Sequence, residues 1–192
     1  MQFNNVLRYT LLFLFAVQQL YWLIGYFKAE KLKPRTKKDT LVNIIERTLI
    51  KAVYFVIFIQ LLGVNILQFS NNNFLVLSGF ILSIIGIIIS ISARKEIAAN
   101  WTCSDNYQIK KNHSLTTSGI YQYIRHPIYL GMGINFLGVE ILVQSYLIFL
   151  APLGALLIFY WAKREETLLA KHFKKDYLDY KRRTKMFLPF II

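Results

Sequence analysis

Three polar groupings in this chain have the residue types for chemistry. In GIYQYIRHPIYLG (Gly119 to Gly131), Arg125 and His126 stand directly before Pro127. Pro127 can open a helix as its first residue, since its ring presets φ and the N–H it lacks would have had no partner there. Two potential cations then sit beside the unpaired amides of a helix N-terminus, an arrangement suited to an anionic group. The second grouping is Glu165 and Glu166, with Arg164 before them, in WAKREETLLAKHF. The third is the stretch from Arg94 to Pro127, which carries Arg94, Lys95, Glu96, Asp105, Gln108, His113, Thr116, Ser118 and Tyr121. A long polar segment in so small a chain points to function more than to mere connection. Plainer readings stand beside these. The Arg-His pair can mark a lipid headgroup boundary, and the paired acids can be i to i+4 partners of nearby Lys and Arg on a solvated helix.

The elements that must position these groups are apolar. Of 192 residues, 55% are hydrophobic and 16% aromatic, which places the chain in the membrane class. Four apolar stretches stand out: Tyr9 to Phe27, Ala52 to Phe69, Phe74 to Ala93, and Ile128 to Trp161. Each of the first three is long enough to cross a hydrocarbon core of about 30 Å. The fourth would run roughly 50 Å as one helix and is interrupted at Gln144 and Ser145, so it reads as a hairpin. The expectation is an all-α polytopic membrane protein with five transmembrane helices. Residues 1–93 would hold three N-terminal spans with a basic cytosolic loop. Residues 94–192 would hold the polar loop, the hairpin and an amphipathic C-terminal helix, with Leu168, Leu169 and Phe173 on its apolar face.

Charge sets the expected orientation. Lys28 to Lys51 carries eight Lys and Arg, Arg94 to Arg125 five, and the tail from Lys163 nine, leaving only Arg8 for the other side. The positive-inside rule then puts the N-terminus outside and the C-terminus in the cytoplasm. The net charge of +13 fits loops facing anionic lipid better than nucleic acid. The single cysteine, Cys103, allows no internal disulfide and offers no metal-ligand spacing. Tyr21, Trp22, Tyr26, Trp101, Tyr160 and Trp161 read as interface anchors. Gly79 and Gly86 would permit close helix packing, and Asn135 and Glu140 inside the fourth stretch read as structural polar residues.

The run HSLTTSGIYQYIRHPIYLG, followed beyond the hydrophobic hairpin by REE and then FKKDYLDYKRRTKMFLPFI, resembles the isoprenylcysteine carboxyl methyltransferase family. The likeness covers roughly Ser92 to Ile192 and is specific because two separated motifs occur in order. It is nearest in size to the short prokaryotic members, which implies a prokaryotic cell membrane in preference to the endoplasmic reticulum. The resemblance implies S-adenosylmethionine as methyl donor, held in a cytosolic pocket of the C-terminal half. It also implies a lipophilic, prenylcysteine-like acceptor entering from the bilayer. By motif, His113, Leu115, Tyr121, His126, Pro127, Ile128 and Tyr129 would line the donor site, with Gln108, Ser114 and Thr116 nearby and Glu165 closing it. Arg94 matches a basic residue at the end of a family span, and either Arg94 or Arg164 would hold the acceptor carboxylate.

The residues agree with this as far as they go. A soluble methyltransferase would need alternating strands and helices with a Gly-rich turn, and neither is present. A carboxylate acceptor, with a pKa of about 3.5, is ionised at neutral pH and needs no general base. An ammonium acceptor must first lose a proton, so a phospholipid N-methyltransferase would need Glu165 or Glu166 as base. A sterol-type reductase using NADPH shares an RHxxYxG element, but it has an acid where this chain has Met132.

Overall fold

The computed structural model describes residues 2–30, 41–97 and 114–189. Among these the chain is helical, with no strand beyond two isolated bridges. Six α-helices follow in order: α1 (Gln2–Glu30), α2 (Leu41–Leu61), α3 (Asn73–Ile97), α4 (Pro127–Val143), α5 (Ala151–Phe173) and α6 (Lys175–Arg183). Short 3-10 turns at Gly119–Gln122 and Tyr146–Leu150 lead into α4 and α5.

The helix ends follow from local chemistry. Asn72 Oδ1 accepts the Phe74 amide at 2.8 Å and so caps the start of α3. Arg94 and Lys95 stand in its last turn, where cations suit the negative end of the helix dipole. Pro127 opens α4, as its ring predicts. Gln144 ends α4 in the left-handed region with φ 55°. Its side chain accepts from Asn72 N at 2.8 Å and donates to Asn72 O at 3.1 Å, which offsets the cost of that backbone.

Contacts at the two ends give the helix directions. Asn4 Nδ2 donates to Asn73 Oδ1, and Arg8 donates to Asn65. Those residues begin α1, begin α3 and follow α2, so they share one end with the Gln144 turn. At the other end Arg164 reaches Glu46, the Arg94 guanidinium packs on Gly25, and His126 lies beside Glu165. Helices α1 to α5 therefore alternate in direction.

Their centre is Leu11 and Phe15 of α1, Ile57 and Leu61 of α2, Val76 and Ile87 of α3, and Val139 and Leu142 of α4. The tightest seam joins α3 and α4. A Cβ on Gly86 would lie 2.6 Å from Asn135 N, and one on Gly79 or Gly138 would strike the facing backbone equally. Small residues let the two backbones touch, as the glycines predict. The outer faces are apolar instead of polar, Phe13 being 67% and Leu156 68% exposed, a surface that water does not cover well.

By length and composition, Asn4–Phe27, Asn73–Ile97 and Tyr146–Phe173 can cross a membrane, and Pro127–Val143 is apolar but shorter. The predicted second span needs correction. The helix does not run from Ala52 to Phe69; it starts at Leu41, includes Glu46, Arg47 and Lys51, and stops at Leu61. Beyond it Gly63 and Leu67 both take positive φ, and residues 67–69 pair with the turn after α4, through Phe69 N to Gln144 O at 2.9 Å and Tyr146 N to Leu67 O at 2.9 Å. The paired acids also do not begin a new surface helix. Nothing in AKREETLLAKHF breaks a helix, so α5 continues to Phe173, and the chain turns at Lys174 (φ 48°) into α6. Trp161 is buried instead of anchoring an interface, while Tyr160 is exposed; Trp101 lies outside the described residues. Glu140 is fully buried and accepts from Gln60 Nε2 at 3.1 Å, a tie between α2 and α4.

Candidate functional site

The site is built at the end of the bundle where α3 and α5 finish and α4 begins. After α3, Ser118 Oγ donates to Glu96, and Gly119 turns with φ 56° directly against the Glu96 side chain. A Cβ there would lie 2.8 Å from Glu96 Cδ, so this turn requires glycine on two counts. The turn delivers Tyr121, Ile124 and His126, all buried, to the start of α4.

The C-terminal segment closes over this loop. Arg125 N donates to Lys185 O at 2.8 Å, His126 N to Met186 O at 3.1 Å, and Lys185 N to Tyr123 O at 3.1 Å. Tyr180 donates its hydroxyl to Tyr121 O at 2.7 Å. On α6 the spacing of Tyr177 and Tyr180 turns both inward, and both are buried, as is Thr184 just after the helix. Burial pushes the phenols of Tyr121, Tyr177 and Tyr180 well above their ordinary range, so they remain donors at any physiological pH.

Charge is concentrated on Glu166. This carboxylate, 3% exposed, meets Arg125 Nε at 2.7 Å, Lys181 Nζ at 2.8 Å and His126 Nε2 at 3.5 Å. Arg125 also donates to the carbonyls of Lys181 and Thr184. Arg125 is thus bound within the protein, a correction to the reading of it as a free cation beside a ligand. Glu165, on the same turn but 35% exposed, lies 3.7 Å from His126 Nδ1. The His126 ring stacks on Tyr129, centroids 5.6 Å apart, with Phe187 at 5.9 Å.

Of the residues singled out in the sequence, Tyr121, His126, Pro127, Tyr129 and Glu165 come together here. Leu115, Thr116 and Ile128 are half-buried on the segments leading in and on α4, and Ser114 is exposed. Gln108 and His113 lie outside the described residues. The two arginines separate. Arg94 is buried at the end of α3, its guanidinium against Gly25 and 5.9 Å from the Tyr21 ring centroid. Arg164 forms an ion pair with Glu46 of α2 at 3.3 Å. Sequence reasoning missed the roles of Glu96, Lys181, Tyr177 and Tyr180; the aromatic spacing in KKDYLDYKRR is the signal that could have found the last two. Among the described residues no group of His, Cys, Asp and Glu could hold a metal ion.

Comparison with known proteins bears on this site. The family model described as phospholipid methyltransferase matches residues 74–176, from the first turn of α3 to the start of α6. The protein-S-isoprenylcysteine O-methyltransferase of Xenopus laevis is 29% identical over 115 residues, 59% of this chain and 40% of that protein. The enzyme of the same name from Mus musculus is 33% identical over 104 residues, covering 49% and 36%. Methanethiol S-methyltransferase of Crocosphaera subtropica is 33% identical over 75 residues, covering 39% and 29%. The solved eukaryotic intramembrane Ras methyltransferase ICMT (isoprenylcysteine carboxyl methyltransferase) has the same fold, with a TM-score of 0.53 at 23% identity over 78% of this chain and 48% of that one. The chain spans less than half the length of these relatives. With more than half of its residues matched by the family model, and with the site formed inside the matched part, the chain belongs to the phospholipid methyltransferase family, among the relatives of the isoprenylcysteine methyltransferases.

Proposed function

We propose that this protein is an S-adenosylmethionine-dependent membrane methyltransferase that methylates the carboxylate of a lipophilic acceptor, such as a prenylated cysteine. The carrying observation is the convergence of His126, at the N-terminus of α4, with Glu165 and Glu166 at the end of α5, inside the region matched to the family. All five helices α1 to α5 would span the bilayer, with the N-terminus outside and the site facing the cytoplasm, since the cationic ends of α3 and α5 and the tail after them share that end.

The residues present fit the donor. The Tyr177 hydroxyl is buried without a hydrogen-bond partner among the described residues, and the charges of Glu166 and Glu165 act on it. A buried donor of this kind is costly unless a ligand meets it. His126 and Tyr177 would serve the amino-acid carboxylate, Glu165 the ribose hydroxyls or the ammonium, and the Tyr129 face the adenine, with Gln108, His113, Ser114, Leu115 and Thr116 completing the pocket. When bound, S-adenosylmethionine supplies an electrophilic methyl group on a sulfonium sulfur. The protein's own work is then orientation and exclusion of water. Glu166 holds Arg125, Lys181 and His126 in one arrangement and so fixes the start of α4 to α6. Arg94, buried where the end of α3 meets α1, would be the acceptor clamp, since its planar guanidinium suits a carboxylate; Arg164, paired with Glu46, is the alternative.

A second reading, N-methylation of an aminophospholipid, is favoured by the description of the family model. Here Glu165, the more exposed acid, would take the ammonium proton. Purified protein incubated with methyl-labelled donor and either a farnesylated cysteine analogue or phosphatidylethanolamine vesicles separates the two. A base-labile product from the first acceptor alone supports the carboxylate reading; base-stable label in phospholipid overturns it. Calorimetry with S-adenosylhomocysteine against NADPH tests the cofactor, and heat from NADPH alone would overturn both readings.

A further inference from the structure

A groove of about 700 Å³ lies between the last turn of α5 and the outer face of α6. Five of its lining residues are cations, Lys171, Lys174, Lys175, Lys181 and Arg182, against a single acid, Asp179. Arg182 is paired with Asp179, and Lys181 reaches Glu166. Lys171, Lys174 and Lys175 have no acid partner among the described residues, so three like charges are held around one hollow. Such an arrangement raises the local positive potential and favours an anion in the hollow. The start of α6 lacks a side-chain cap, and Asp176 in its first turn leaves the three lysines in excess over the acid there. The groove is lined at one end by Ala170 and Lys171, near the end of a helix apolar enough to cross a membrane, and exposed Leu178 gives it an apolar edge.

We infer that this groove is a binding site for the phosphate headgroup of an anionic phospholipid. A soluble phosphate would match the cations but not the apolar edge or the place where α5 leaves the bilayer. The lipid phosphate binds Lys171, Lys174 and Lys175, while Leu178 meets the glycerol and upper acyl chain. The inference rests on α5 crossing the membrane and not on methyl transfer, so it stands or falls separately from the reading above.

The test uses the full chain in phosphatidylcholine nanodiscs carrying trace spin-labelled phosphatidylglycerol or spin-labelled phosphatidylcholine. The unmodified protein is expected to immobilise the anionic lipid in preference. Each of K171Q, K174Q and K175Q is expected to lower that preference about fivefold. The single controls K33Q, K37Q and K38Q, each of which removes equal charge from the Lys28 to Lys51 segment, are expected to leave it unchanged. All three groove lysines are exposed, and thermal unfolding checks that each single variant stays folded. Retained preference in all three groove variants, or an equal loss in the controls, overturns the site. Complete displacement of the labelled lipid by millimolar glycerol 1-phosphate overturns the assignment to a membrane lipid.

Discussion

The seam between α3 and α4 and the charged junction at the end of α5 hold the molecule by opposite means. At the seam, backbones meet through Gly79, Gly86, Gly131 and Gly138, with Ser83 Oγ donating to Asn135 O at 3.3 Å and no charged group in the contact. At the junction one carboxylate, Glu166, is held by Arg125, His126 and Lys181, brought from a loop, a helix start and α6. The seam depends on shape and has no tolerance for added volume. The junction depends on charge balance and has no tolerance for a missing partner. The first aligns two helices; the second draws together segments far apart in the chain and leaves Glu165 and His126 at their shared edge.

The largest expected effect follows from removing the centre of the junction. Glu166→Ala strands the Arg125 guanidinium in a buried position and should destabilise the protein by about 3–5 kcal/mol, as loss of one partner of a buried pair does. Thermal unfolding in detergent checks this, and S-adenosylhomocysteine affinity should fall at least about tenfold as the His126 environment loosens. A variant that melts like the parent would mean that the cations, not the acid, organise the junction. Next in size, Gly86→Val forces a branched side chain against Asn135 N and Gly131 O. The expected cost is about 1–3 kcal/mol, with affinity for the donor analogue changed less than by Glu166→Ala. If Gly86→Val instead abolishes donor binding while the fold persists, the two regions are coupled and the contrast between them fails.

The unequal legibility of these regions in sequence has the same physical origin. The seam could be read because its signal is local: glycines at helical spacing within apolar runs have few other uses. The hairpin could be read from length and from Gln144 and Ser145, and Pro127 announced the start of α4. The junction was only half legible. Arg125, His126 and the two acids stood out, but which acid would be buried depends on the rotation of α5 about its axis, which no local pattern states. Lys181 and Tyr180 were hidden because their partners, Glu166 and Tyr121, come from more than ten residues away. The end of α2 was misread for a similar reason: Leu62 to Phe69 is apolar enough for a helix, yet the backbone of Leu67 and Phe69 bonds to the turn after α4.

A smaller effect is expected where the loop meets α3. Gly119→Ala places a Cβ at positive φ against Glu96, and the left-handed backbone alone costs about 1–2 kcal/mol. The KM for the methyl donor should rise while kcat changes little, because the turn delivers Tyr121 and His126 but does not touch the acceptor. A fall in kcat at unchanged KM would place this turn on the acceptor side instead.

The smallest effect distinguishes the two arginines. Arg164 is about one-third exposed in its pair with Glu46, and such pairs contribute about 1 kcal/mol or less. Arg164→Gln should therefore lower stability slightly and leave turnover with a carboxylate acceptor intact. Arg94→Gln should leave S-adenosylhomocysteine binding unchanged and reduce kcat/KM for the acceptor by about tenfold or more, since a clamp acts on the acceptor and not on the donor. Full turnover in the Arg94 variant together with loss in the Arg164 variant would reverse the assignment. It would also mean that Glu46, far from being a structural tie, must release Arg164 for the reaction.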